Sequence, residues 1–292
     1  MAVSAARWGK YLLIAVVLLV LAGLGTVYAI GAWNLLFTNT DHDTQPPAIA
    51  ADLGSPAVLV FSKTNGFRHR DGISGGLKAI EAIAGQRGWA VFATENGAVF
   101  NEQDLSRFAT VVFLNATGDM LSHPQREAFR RWFERGGGWV GVHAAGDGSH
   151  RFWGWYLEHL VGAEFTAHIL GPQFQVATVE REAPDHPVNR GLPARWEHGE
   201  EWYSWARSPR SKGFTILATV DEDSYTPVQK FLNHERDLRM GDHPVVWANC
   251  EGKGRAVYTA MGHRAEAFDA PNVQRLLENA MDWTMGLTEG GC

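Results

Sequence analysis

The sequence predicts an α/β domain, a mostly parallel sheet flanked by helices, preceded by one N-terminal transmembrane helix. Three observations predict it. After Arg7 and Lys10 no charged residue occurs from Tyr11 through Thr40. From Ala57 onward, short apolar runs alternate with amphipathic stretches, the pattern of βα units around a parallel sheet. Histidines recur just after the apolar runs, and in such sheets functional groups collect where strands end.

Residues 11–33 form the predicted span. Crossing a bilayer takes roughly 20 apolar residues, and this stretch supplies them, with Tyr11 and Trp33 where interfacial aromatics sit. A cleaved signal peptide is the competing reading. Signal cores run to only about 7–15 residues, and Ala29-Ile30-Gly31 is a mediocre cleavage site. Arg7 and Lys10 precede the span and the next basic residue is Lys63. The positive-inside rule therefore keeps residues 1–10 in the cytoplasm and exports the rest, to a periplasmic or extracellular location. Residues 34–56, polar and proline-bearing, read as a flexible spacer.

The domain occupies residues 57–286. Ala57–Ser62 reads as a buried strand, followed by a helix over Gly72–Arg87 with Ile73, Leu77, Ile80 and Ile83 on one face. Strands are expected at Trp89–Ala93 and Thr110–Leu114. Ser122 and Gln125 form a capping box with Pro124 in the first turn, opening a helix that Gly136 and Gly137 stop. Trp139–Val142 begins the next strand. Beyond it the pattern is less regular: a half-exposed strand around Phe174–Thr178, buried ones at Phe214–Val220 and Pro244–Asn249, and a turn at Gly252-Lys253-Gly254 into Arg255–Ala260. Pro271 opens a last helix closed by Gly286, and residues 287–292 read as a frayed tail.

The net charge of −6, with both signs interspersed, offers no basic stripe and excludes nucleic acid as a partner. Two cysteines, Cys250 and Cys292, make no disulfide framework, and a pairing between them is not expected.

His69, His143 and His263 each follow a predicted strand, so they can meet in one cleft, and imidazole is suited to proton transfer near neutral pH. A fourth, His168, lies in the irregular region. No HExxH or other close-spaced ligand signature occurs, so no cofactor is specified; a divalent metal held by converging histidines is the one the residues admit. The 12 tryptophans include a cluster at Trp196, Trp202 and Trp205 around Tyr203. Aromatic rings beside the acids Glu200 and Glu201 suit a sugar, whose C–H face stacks while acids bind its hydroxyls. Trp132 and Trp139, inside regular elements, read as core.

The segment Gly136–Ala145 (GGGWVGVHAA) resembles the strand end of class I glutamine amidotransferases, G-x-C-x-G, with His143 at the nucleophile's position. An imidazole does not replace a thiolate attacking an amide, so glutaminase chemistry is not expected. With Phe61–His69 (FSKTNGFRH), FWGWY, the DHP of Asp185–Pro187, Glu200–Trp205 (EEWYSW), His243–Trp247 (HPVVW) and the strand and turn of Gly254–His263, the chain resembles the ThuA-like family, named for trehalose utilisation, over about Ala57 to Gly286. The residue after His168 departs from the family pattern, which expects a proline. The resemblance implies a class I glutamine amidotransferase-like fold with flavodoxin-like layering, and a role on small-molecule carbohydrates, disaccharides and 3-keto-glycosides. On that reading His143 or His263 is the base, with His69 beside them, Glu201 or Tyr203 the acid, Trp202 or Trp247 the stacking platform, and Asp147 and His168 binding groups. A non-catalytic carbohydrate-binding domain on a membrane tether, and an assembly partner with a relict pocket, are the alternatives.

Overall fold

The computed structural model describes residues 2–231 and 234–292. Helix α1 (Ala2–Ala29) runs through the uncharged stretch; its Arg7–Ala29 portion has a mean hydropathy of 2.6 and buries none of its residues, a length and composition that suit a membrane span. A turn at Gly31 leads into a short helix, α2 (Trp33–Leu36).

The first half of the domain follows the apolar runs closely: β1 (Ala57–Phe61), α3 (Arg70–Arg87), β2 (Ala90–Thr94), α4 (Glu102–Leu105), β3 (Thr110–Leu114), α5 (His123–Glu134) and β4 (Gly138–Val142). Every residue of β1, β3 and β4 is buried, as expected for parallel strands covered on both faces. The start of α5 is fixed as its capping box predicts, the Ser122 N–H donating to Gln125 Oε1 at 2.8 Å.

The second half carries more strands than its irregular pattern announces. After α6 (Gly154–Tyr156) come β5 (Phe165–His168), β6 (Gln175–Arg181), β7 (Arg195–Glu200), β8 (Tyr203–Trp205), β9 (Thr215–Val220), β10 (Val228–Phe231), β11 (His234–Asp237), β12 (Pro244–Glu251) and β13 (Gly254–Thr259). Helices α7 (Ala265–Asp269) and α8 (Pro271–Thr284) close the chain. The main sheet has nine strands in the order β2-β1-β3-β4-β13-β12-β9-β6-β7. From β2 to β13 neighbours are parallel, and from β13 to β7 antiparallel. β10–β11 and β5–β8 are separate two-stranded ribbons. The α/β class is thus present, with the parallel half delivering its strand ends, and the loops after them, to one edge.

Three expectations are corrected. Cys250 and Cys292 are paired, with Cα atoms 5.9 Å apart. The pairing arises because the tail is laid down, not frayed: Trp283 Nε1 donates to the Gly290 carbonyl at 2.7 Å and Arg255 Nη1 to the Thr288 carbonyl at 2.8 Å. Spacing along the sequence carried no sign of these contacts. Likewise the stretch read as a flexible spacer is strapped to the domain. Asp43 accepts from Lys63 Nζ (2.5 Å) and the Gly97 amide (2.8 Å), Gln125 Nε2 donates to the Asp43 carbonyl, and Ile49 and Leu53 pack on the core.

Candidate functional site

His69 ends the loop after β1, His143 is the first residue past β4, and His263 follows β13. β4 and β13 are neighbours, with Val142 paired to Thr259, so residues 120 positions apart arrive side by side. His143 turns sharply out of its strand at φ 49°, a left-handed bend that L-residues adopt only at a cost, the same kind of elbow that exposes nucleophiles at strand ends. Buried hydrogen bonds hold it. Tyr258 Oη donates to the His143 carbonyl at 2.7 Å, and Asn115, past the end of β3, donates from Nδ2 to the Gly262 carbonyl (3.0 Å) while accepting the Ala144 amide (3.2 Å). One buried amide side chain thereby ties three strand ends together.

The antiparallel half brings the partners. Glu200 ends β7, Glu201 follows, and Tyr203 begins β8. His143 Nδ1–H donates to the Ala260 carbonyl at 2.7 Å, which leaves Nε2 facing the Tyr203 hydroxyl (2.9 Å), His263 Nδ1 (3.0 Å) and Glu201 Oε2 (3.4 Å). Glu201 Oε2 also lies 3.0 Å from His263 Nδ1, and its Oε1 faces His168 Nδ1 at 3.0 Å and the Gln173 amide. Glu200 points elsewhere, accepting the Gly262 amide at 2.7 Å. Gly262 sits at φ 125°, and a Cβ there would meet Val142 Cγ1 at 2.7 Å, so only glycine delivers that amide. The cluster floors a cavity of about 360 Å³ lined by Phe67, His168, Gln173 and Asp147 among others, within the size range of small-ligand pockets. A larger cleft of about 630 Å³, at the junction of α1 with the domain, holds no histidine.

The environments separate these groups electrostatically. Burial alone would raise the Glu201 carboxyl, but His143 and His263 outweigh it and hold it well below the usual carboxylate range. Burial would likewise lower His143, yet the hydrogen bond to Glu201 and the charges of both glutamates raise it above the ordinary imidazole value. At His69 the balance is reversed: burial, reinforced by His143 and His263, outweighs the charge of Glu201 and drives it far down. Burial next to Glu201 pushes the Tyr203 hydroxyl well up. At neutral pH the centre therefore contains a charged Glu201, a His143 that holds a proton more readily than a free imidazole, a protonated Tyr203 and a neutral His69.

His69, His143, Glu201 and His263 each offer a donor atom, all within 4.8 Å of one another. The buried Nδ1 of His69 has no hydrogen-bond partner among the described residues. The His143, His263 and Glu201 donors stand 3.0–3.4 Å apart, close to the edge of a tetrahedron built on metal–ligand bonds of about 2.0–2.1 Å. The donated Nδ1–H of His143 is the outer contact typical of a ligand histidine. Three imidazoles and a carboxylate with an orphaned lone pair fit a divalent cation such as zinc.

Of the residues expected at the site, His69, His263, Glu201, Tyr203, His168 and Asp147 line one cavity, and His143 lies wholly buried behind them against Tyr203 and His263. Asp147 Oδ1 is engaged by the Ser149 amide at 2.8 Å. Trp202 and Trp247 are elsewhere. Trp202 is 2% exposed and donates to the Gln175 carbonyl; Trp247 is wholly buried against Trp205 and Tyr258 and donates to Val161. Both are packing residues, as is Trp139. Sequence reasoning missed Asn115 and Gln173; a buried asparagine at a strand end in FLNATG is the signal that could have found the first.

A family model described as ThuA, trehalose utilisation, matches residues 57–284. Among solved structures, a ThuA-like protein from Bacteroides uniformis is 26% identical with a TM-score of 0.67, over 82% of this chain and 95% of that one. A ThuA-like protein from Parabacteroides merdae is 18% identical with a TM-score of 0.61, over 80% and 90%. The β-galactosidase of Rahnella sp. R3 shares the fold alone, at 17% identity and a TM-score of 0.50, over 81% of this chain and 32% of that one. Among curated proteins none matches. With more than three quarters of its length matched by the family model, and His143 standing at the elbow where class I amidotransferases carry cysteine, this chain belongs to the ThuA family of the class I glutamine amidotransferase-like superfamily.

Proposed function

We propose that this protein is a membrane-anchored, extracytoplasmic enzyme of carbohydrate metabolism that cleaves a disaccharide or 3-keto-glycoside by histidine acid/base chemistry, and that it is not a glutaminase. The observation that carries the reading is the His143–Tyr203–Glu201–His263 cluster, whose Tyr203, Glu201 and His263 floor a ligand-sized cavity over the buried His143, with His69 neutral beside them. Export is supported by the basic flank of α1 and by the Cys250–Cys292 disulfide, since such bonds persist in oxidising compartments.

A 3-keto group acidifies the C2 proton of the sugar. His69, neutral and with an unpaired Nδ1, is the base that takes it. The electron pair left at C2 becomes the C1=C2 double bond as the C1–O bond breaks, and the departing oxygen takes the proton of the Tyr203 hydroxyl, which lines the cavity and lies 2.9 Å from His143 Nε2. Addition of water across the double bond completes hydrolysis. Gln173 and His168 fix Glu201 from its other oxygen. A divalent cation held by His69, His143, His263 and Glu201 would supply Lewis-acid polarisation of the keto oxygen. His69 would then be a ligand and not the base, so elemental analysis of the purified protein decides which role its lone pair serves.

The test is a screen of trehalose, sucrose and their 3-keto forms with the full-length protein, read by mass spectrometry. The expected result is release of a monosaccharide from a keto-sugar, reduced about 10²- to 10⁴-fold in His143→Ala while affinity changes only a few-fold. Turnover that survives His143→Ala, His263→Ala and Glu201→Gln would overturn the site assignment. Saturable binding without product would instead identify a tethered carbohydrate-binding domain.

A further inference from the structure

The cavity has two chemically different ends. Its floor is polar and closed, with Glu201 1% and Tyr203 2% exposed. Its mouth is apolar and open: Leu35 and Leu170, 63% and 53% exposed, line the same cavity, with Phe67 and Phe165 on its walls. Leu35 does not come from the catalytic domain. It lies on α2, six residues past the end of α1.

That placement is built. The Arg68 amide donates to the Gly31 carbonyl at 2.9 Å, and Gly31, at φ 82°, passes so close that a Cβ would stand 2.1 Å from the Arg68 carbonyl oxygen. Asn34 Nδ2 donates to the Thr64 carbonyl at 2.8 Å. Arg70 lies over the Tyr28 ring, 4.6 Å from its centroid, and donates to the Tyr28 carbonyl, satisfying one of the carbonyls left free at a helix C-terminus. All of these groups belong to the loop after β1 or the start of α3, the segment that holds His69. The end of α1 is therefore clamped to the wall of the site.

Arg7–Ala29 spans 23 residues, about 35 Å at 1.5 Å per residue, enough to traverse the hydrocarbon core. Ala29 then marks the bilayer surface, and Leu35, with the exposed Leu36 and Phe37 (60% and 50%) next to it, lies at interfacial depth. A water-soluble sugar gives no reason for leucines at the mouth, whereas a molecule with a sugar head and an apolar chain matches both ends. We propose that the substrate is an amphiphilic glycoside taken from the membrane, its sugar on the histidine floor and its chain running past Leu35 and Leu170 into the bilayer. This rests on the anchored-glycosidase reading above.

The full-length protein is placed in nanodiscs of phosphatidylcholine and phosphatidylglycerol and given methyl and hexadecyl 3-keto-glucosides in parallel. The hexadecyl compound also carries a diazirine in its chain. Turnover is compared with that of Leu35→Glu/Leu170→Glu, in which partitioning of the lipid is unchanged. The expected result is a preference of at least tenfold for the hexadecyl glycoside that falls to near one in the double variant, with photo-crosslinks in residues 33–37 and 165–173. Equal turnover of the two, or a preference that survives the substitutions, overturns the amphiphile and leaves the glycosidase reading intact. Crosslinks at those residues without turnover of either compound uphold the apolar mouth and sink the catalytic reading. Neither turnover nor crosslinks there overturns both.

Discussion

Replacing Cys292 with serine opens a covalent loop of 42 residues that contains β13, α7 and α8. In the folded protein little else moves, because the tail keeps its hydrogen bonds to Trp283 and Arg255. The unfolded chain, by contrast, recovers the freedom that closing the loop had denied it. For a loop of this length the chain-entropy relation gives about 4 kcal/mol at 25 °C. A domain of this size shifts its Tm by about 2–4 °C per kcal/mol, so the variant is expected to melt about 8–16 °C below the wild type. Differential scanning calorimetry of wild type and Cys292→Ser, each with and without dithiothreitol, makes the comparison. Reduction should bring the wild type down to the variant and leave the variant unmoved. Oxidised and reduced wild type melting within 1 °C of each other would refute the argument, because the loop would then not be closed in the folded protein.

Three further outcomes are expected. Glu222 accepts from the Met240 and Gly241 amides and from His243 Nδ1, and although burial opposes it these contacts hold its carboxyl below the usual range. Its stabilisation is therefore present above the unfolded value near 4.5 and lost as pH falls through the folded one; Glu222→Gln should cost about 1–3 kcal/mol at pH 7 and flatten the acid limb, measured by urea unfolding at pH 7 and pH 4. Tyr203→Phe removes the hydroxyl at His143 Nε2 from a ring whose packing is unchanged, so kcat should fall about 10²-fold with KM within a few-fold; an unchanged kcat would reduce Tyr203 to packing. Gly262→Ala forces a side chain into a left-handed position against Val142, costing about 1–3 kcal/mol and displacing the amide from Glu200, so Tm and turnover should drop together, and a loss of only one would separate the two roles.

The fold was legible wherever a single stretch of chain decides its own structure. The apolar runs of β1, β3 and β4 are long enough to be buried on both faces, and Ser122, Gln125 and Pro124 specify the start of α5 without reference to anything distant. β5, β7 and β8 were not legible, because WEHGE and YSW become strands only when paired with β6 and β5. The site divides in the same way. Histidines after strands could be picked out singly, but that β13 lies next to β4 is a fact of sheet order. Glu201 and Tyr203 reach His143 only because the antiparallel half folds back over the elbow. The tryptophans misled for a related reason: an indole beside two glutamates suits either a sugar or a core, and the buried partners of Trp202 and Trp247 select the core. Cys250 and Cys292 gave no hint of pairing, since what joins them is where α8 deposits the tail.

The left-handed bend at residue 143 belongs to the backbone, secured by Tyr258 and Asn115, and not to the imidazole it carries. Whatever side chain occupies that position is delivered to the same buried point behind the cavity floor. The elbow can be regarded as a socket, and a thiol set into it would stand behind Tyr203 and His263, out of reach of a small alkylating reagent until the floor they form opens. The rate at which such a chain takes up the label would therefore report how often the floor opens, without any need for the natural reaction to run.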